Sequence, residues 1–144
     1  MVAIHQACRA IQNGECTRAV AGGVNLILNM VSYDALRAGG FINETGPCKT
    51  FDVRADGYCR GEAVGIVILK PLARALQDGD DIQGVILATS NNQNINISSI
   101  TNPAIKSQVA LYRDALKQAG VNPEDVSYLE AHGTGTRAGD PVEV

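Results

Sequence analysis

The apolar positions of this chain switch between a helical and an extended period, and the switches mark out its elements. Ile4, Ala7, Cys8 and Ile11 fall at i, i+3, i+4 and i+7, which predicts a helix over residues 1–13 with one apolar face. Gly14 is its expected stop. Residues 18–28 are apolar and broken by glycines, the pattern of a buried strand with close backbone packing. A short helix is expected near 32–37, closed by Gly39-Gly40. Residues 41–61 carry the turn signals Gly46-Pro47 and Asp56-Gly57 and read as loop. A near-continuous apolar strand follows at 64–69. Pro71 is placed at the first position of another helix, with Leu72, Ala75 and Leu76 as its apolar face and Gly79 as its end.

Residues 82–89 read as a second buried strand, and 90–101 as a polar, asparagine-rich loop. Asn102-Pro103 opens the most strongly patterned helix, with the stripe Ile105, Val109, Tyr112, Leu116 and Ala119 and a stop at Gly120. Asn122-Pro123 turns into a last strand at 126–130, followed by a glycine-rich loop at 132–139. Asp140, Pro141 and Glu143 match a capping box, with Asp140 as the cap. Strands alternating with helices predict α/β layers, with helices covering a sheet. Both ends fall inside helical patterns, so residues 1–144 are expected to be one partial domain of a longer polypeptide. On its own such a piece is expected to fold poorly or aggregate, because its buried strands lose neighbours.

Apolar residues make up 45% of the 144, enough for a core. Charged residues are 19%, against about a quarter in ordinary soluble domains, which implies a surface largely covered by other structure. The net charge of -3 gives no reason to expect nucleic acid or an anionic membrane as a partner. No apolar run is long enough to span a bilayer, and no secretory signal is visible. The four cysteines, Cys8, Cys16, Cys48 and Cys59, form no C-x-x-C pair and no zinc-spaced cluster. They read as reduced thiols of a cytoplasmic protein, with no metal site.

The chemistry concentrates in Tyr128-Leu-Glu-Ala-His-Gly-Thr-Gly-Thr-Arg137. His132 sits at the C-terminal end of a predicted buried strand, the edge where α/β sheets place ligands. The glycines let backbone approach a ligand, and the threonines supply hydroxyl donors and acceptors. An imidazole there can donate an N–H to a carbonyl oxygen and stabilise charge developing on a thioester or enolate. Taken alone, the same histidine also fits a structural hydrogen bond to a loop carbonyl.

Glu130-Ala-His-Gly-Thr-Gly-Thr136 followed by Gly139-Asp-Pro-Val-Glu143 resembles the first catalytic-histidine motif of β-ketoacyl synthases in their polyketide synthase form. Val2-Ala-Ile-His-Gln-Ala-Cys8 resembles the helix after the nucleophilic cysteine, and Ala21-Gly-Gly-Val-Asn25 the strand that follows. Cys48-Lys-Thr-Phe-Asp52, Ala55-Asp-Gly-Tyr58 and Arg60-Gly-Glu-Ala63 resemble the loop and strand at the active-site edge, and Ile82-Gln-Gly-Val-Ile86 the next strand. The whole chain is covered. Asn91-Asn-Gln-Asn94 and Arg60-Gly-Glu-Ala63 look most like fungal iterative type I synthases. The resemblance implies a thiolase-like layered α/β/α/β/α fold, incomplete here. It implies decarboxylative condensation of an acyl thioester with malonyl-carrier protein. The partners would be an acyl carrier protein domain, whose phosphopantetheine arm brings the malonyl and acyl thioesters, and a second copy in a homodimer. No directly bound cofactor is implied. His132 would be the first catalytic histidine, and Thr134 and Thr136 would contact the phosphopantetheine arm.

The family's nucleophile would lie just upstream of Met1, and its second histidine and neighbouring lysine beyond Val144. Cys8 lies on the apolar helix face and is expected to be a packed thiol. Cys16, Cys48 and Cys59 are expected to be structural or incidental. His5 lies off the Ile4–Cys8–Ile11 stripe and reads as a surface or interdomain residue. Asp52, Asp56 and Glu62 can be read as an acid–base set or as loop support, and turn chemistry favours support. Lys49, Arg54 and Arg60 could meet a phosphate, although surface charge is the simpler reading. The alternatives are a non-extending homologue resembling a chain-length factor, a thiolase, and a phosphate-binding module built on 132–139. The last lacks a lysine in that loop and matches no Walker or dinucleotide fingerprint.

Overall fold

The computed structural model describes residues 1–94 and 103–144. Its elements are α1 (Val2–Gln12), β1 (Ala19–Asn25), α2 (Val31–Ala38), β2 (Ala63–Leu69), α3 (Leu72–Asp78), α4 (Ile105–Ala119), a 3-10 turn (Pro123–Asp125) and α5 (Asp140–Glu143). The first four helices stop where the glycines predicted. Gly14, Gly40, Gly79 and Gly120 take positive φ. The amide after each bonds back across the turn, Glu15 to Ala10, Phe41 to Leu36, Asp80 to Ala75 and Val121 to Leu116. This C-terminal motif satisfies carbonyls that the helix itself leaves open. Pro71 stands one position before α3 rather than inside it, because its ψ of 133 is extended.

β1 and β2 pair antiparallel, with Val20 opposite Ile68, Gly22 opposite Ile66 and Val24 opposite Val64. Close packing at a strand glycine is real. A Cβ on Gly22 would lie 2.6 Å from the Gly65 carbonyl oxygen. α1 packs against β1, and Ala21 is buried. The cross-strand set Val20, Val24, Val64, Ile66 and Ile68 shares the other face and is exposed. Both strands were expected to be buried. β1 is covered on one side only, by α1, and β2 is exposed on both faces except at Leu69, because no further layer stands against it among the described residues.

The remaining strand expectations differ more. Residues 82–89 and 126–130 carry no regular structure. A strand exists only as one side of a ladder, and backbone groups of residues 82–94 and 127–131 make no backbone–backbone bond among the described residues. The asparagine-rich stretch is described as far as Asn94, and the predicted helix opener Asn102 lies outside the described residues. The buried apolar set is small: Ala21, Ile42, Ala55 and Ala75. The core expected from a 45% apolar composition is therefore not assembled within the described residues.

Candidate active site

Residues 41–61 have little regular structure, yet they are tightly bonded. Tyr58 N–H donates to the Phe41 carbonyl at 2.9 Å and Asn43 N–H to the Tyr58 carbonyl at 3.2 Å. Asn43 is 4% exposed, and its side chain accepts from Gly46 N–H at 2.6 Å and donates to the Pro47 carbonyl at 3.0 Å. The Lys49 ammonium meets Asp56 at 2.7 Å. Buried asparagine and paired loop amides are what a loop needs when water cannot satisfy it.

This loop cradles the glycine-rich one. Gly57 N–H donates to the Gly135 carbonyl at 2.9 Å, and Thr50 Oγ1 donates to the Gly133 carbonyl at 2.6 Å. Gly135 has φ 67, and a Cβ there would lie 3.1 Å from both the Gly57 oxygen and the Lys49 nitrogen. Left-handed backbone and lack of space both call for glycine at this position.

The expected capping box at 140–143 does not form. Gly139 is the N-cap of α5, with no side-chain cap bond. The carboxylates act at longer range. Glu143 accepts from the backbone N–H of His132 at 2.8 Å and of Gly133 at 2.7 Å. Asp140, 6% exposed, accepts from Gly135 N–H at 2.9 Å and from Phe51 N–H at 2.7 Å. Three amides of the 132–135 loop outcompete the first turn of a four-residue helix as partners, because they converge on the same two carboxylates. Sequence reasoning missed this role. The available signal was the fixed spacing of two acids after a loop rich in unpaired amides.

His132, Thr134 and Thr136 come together on one cavity of about 800 Å3, with Phe41, Tyr58 and Arg137 on its other walls. His132 is exposed and the two threonines are half-buried. Thr134 Oγ1 and Thr136 Oγ1 are 3.0 Å apart, and Thr136 Oγ1 accepts from Gly139 N–H at 3.1 Å. Whichever threonine donates to the other, one hydroxyl proton of the pair is left for an outside acceptor. Just upstream, the Tyr128 hydroxyl donates to Glu130, and that bond to a carboxylate pushes the Tyr128 ionisation upward.

The other candidates disperse. Asp52 holds Arg54 at 2.9 Å, which drives its carboxyl far below the usual range. Glu62 accepts from Ile27 N–H at 2.5 Å, and Arg60 donates to Asn25 at 2.8 Å. With Asp56 on Lys49, the three carboxylates make no common site. His5 Nδ1 lies 2.8 Å from Thr89 Oγ1, tying α1 to residues 82–89, a contact its place off the apolar stripe did not specify. Cys8 and Cys16 are half-buried, Cys48 and Cys59 are exposed, and all four are free. Cys48 Sγ accepts from Cys59 N–H at 3.2 Å. Among the described residues no cluster of three or more metal-binding side chains occurs, and no helix is long and apolar enough to cross a membrane.

Residues 1–75 match the family Beta-ketoacyl synthase, N-terminal domain, and residues 83–144 match Beta-ketoacyl synthase, C-terminal domain. The chain is 56% identical over 143 residues to the non-reducing polyketide synthase mapC of Penicillium roqueforti, covering 99% of this chain and 6% of that protein. It is likewise 56% identical over 142 residues to the non-reducing polyketide synthase pkbA of Emericella nidulans, again with 99% and 6% covered. Among solved structures it resembles an oxazolomycin ketosynthase domain of Streptomyces albus, with a TM-score of 0.95 at 44% identity over 99% of this chain and 25% of that one. A ketosynthase from module 6 of the bacillaene synthase of Bacillus subtilis gives 0.95 at 42%, covering 99% and 26%. The arrangement of elements is thus a partial thiolase-like α/β fold.

Proposed function

This chain belongs to the β-ketoacyl synthase family, and from that premise we propose that it supplies the first histidine and the arm-binding threonines of a polyketide-type condensing site. The chain spans 6% of the curated relatives it matches, so the activity is that of a longer assembly. The observation that carries the reading is the joint placement of His132, Thr134 and Thr136 on one cavity, with the backbone at His132 held by Glu143.

The chemistry follows from the atoms present. An imidazole N–H aimed at a thioester oxygen stabilises the enolate formed when a malonyl thioester loses carbon dioxide. The enolate carbon attacks an acyl thioester carbonyl, forms the new C–C bond and expels the cysteine thiolate that carried the acyl group. In this reading that cysteine is none of the four here and would stand before α1. The acyl carrier protein's phosphopantetheine arm fits the cavity's donors. The spare hydroxyl proton of the Thr134–Thr136 pair is a donor for an amide carbonyl of the arm. The exposed β1–β2 face and residues 82–89 would be covered by the rest of the domain, in a homodimeric cytoplasmic synthase.

The test is His132→Ala in the intact polypeptide. Malonyl decarboxylation should fall by roughly 10²–10³, while transfer of the acyl primer to the enzyme thiol persists. Undiminished decarboxylation would remove His132 from the chemistry. Absence of acyl loading in the unaltered protein would favour a non-extending homologue.

A further inference from the structure

Phe51 is the one non-glycine residue with left-handed backbone among the described residues, at φ 59. A side chain in that region crowds its own backbone, so the conformation persists only where the surroundings impose it. Burial of the ring does not impose it, since Phe51 is 51% exposed. Its N–H is held by a buried carboxylate. Asp140 accepts from Phe51 N–H through Oδ2 and from Gly135 N–H through Oδ1. One oxygen thus sits on each of two loops, and Asp140 is nearly sealed from water. Charge-assisted bonds in such surroundings are strong, and losing the acceptor strands two amides. Thr50 to Gly133 and Gly57 to Gly135 run alongside, so the loops are joined at three places around His132.

We propose that Asp140 is a positioning residue of the condensing site: it holds Phe51 left-handed, locks residues 48–58 onto the 132–135 loop, and thereby fixes where the His132 imidazole stands. This rests on the role of His132 proposed above. The α5 acid is then a brace between two loops rather than a helix cap. The strain at Phe51 reports how firmly the brace pulls.

The test uses D140N in the intact polypeptide, with H132A measured in parallel. Asn keeps the volume but turns an amide toward one of the two donors. The kcat for malonyl decarboxylation should fall roughly tenfold, with KM changed by less than about twofold. Adding F51G should restore most of the loss, because glycine adopts φ near 59 without being held. Adding F51A should restore none, because alanine keeps the Cβ. Rescue by both, or by neither, overturns the proposal. Should D140N fail to accumulate folded, accumulation of D140N/F51G but not D140N/F51A is the expected result, and any other pattern overturns it. An inactive H132A with a fully active D140N sinks the brace alone. A fully active H132A sinks the underlying reading.

Discussion

Two carboxylate systems in this molecule look alike on a list of charges and do different work. At the histidine loop, Glu143 and Asp140 spend all four oxygens on backbone amides of His132, Gly133, Gly135 and Phe51. At the far end of the sheet, Asp78 and Asp80 surround the Lys70 ammonium, with Asp78 at 2.6 Å and Arg18 a further 3.4 Å from Asp78. The first set fixes main chain that has no ladder or helix to hold it. The second joins side chains at or near the ends of β1, β2 and α3, where the regular structure already fixes the chain. Asp140 is nearly buried, whereas the Asp78 and Asp80 side chains are 41% and 44% exposed. A carboxylate's contribution is set by what would remain unpaired without it, and water can replace Asp78 and Asp80 far more readily than the buried Asp140.

The comparison can be broken most directly at Glu143. Glu143→Ala strands the His132 and Gly133 amides, and malonyl decarboxylation in the intact polypeptide should drop by roughly ten- to a hundredfold. Glu143→Gln keeps one acceptor and should fall between that variant and the unaltered protein. Equal rates for all three would show that the clamp does not position the histidine.

A smaller effect is expected at Gly135→Ala. The substitution meets both a left-handed φ and a carbonyl at 3.1 Å. Left-handed backbone alone costs about 1–2 kcal/mol in a residue with a Cβ. The thermal midpoint should fall, and the amides of Gly57 and Gly135 should exchange with solvent faster. An unshifted midpoint would mean that the two loops are not in register.

The smallest effect belongs to Asp78→Asn. Lys70 lowers the Asp78 ionisation chiefly through their hydrogen bond, and Asp78 in turn raises that of Lys70. A depressed carboxyl stabilises the fold fully above its unfolded value of about 3.9 and loses that contribution as pH falls through the lower folded value. The raised lysine contributes below its unfolded value of about 10.4 and loses that as pH rises through the folded one. The stability difference between Asp78→Asn and the unaltered protein should therefore be small and flat near neutrality and shrink below about pH 4. A gap that widens in acid would contradict the pairing.

Legibility followed the range of the forces. The stops at Gly14, Gly40, Gly79 and Gly120 could be read because a helix end is decided within six residues of itself. The stripe from Ile105 to Ala119 gave α4 for the same reason. Residues 82–89 looked just as much like a strand, but a ladder needs a neighbour distant in sequence, and none is bonded to them among the described residues. Asp140 and Glu143 misled in the opposite direction. Their spacing fits a cap, and the competing amides at 51 and 132–135 are invisible to any local pattern.

The sequence by itself determined the helices, the glycines that end them, the extended segments that became β1 and β2, and the motif that marks the family. These rest on periodicity, turn chemistry and residue identity, all carried within short windows. Only the tertiary structure decided that Glu143 and Asp140 brace the histidine loop, that Phe51 is held left-handed, and that Thr134 and Thr136 share a cavity with His132. Those facts depend on which unpaired amides meet which carboxylates in space. Hydrogen bonds of that kind are set by distance between atoms and not by distance along the chain.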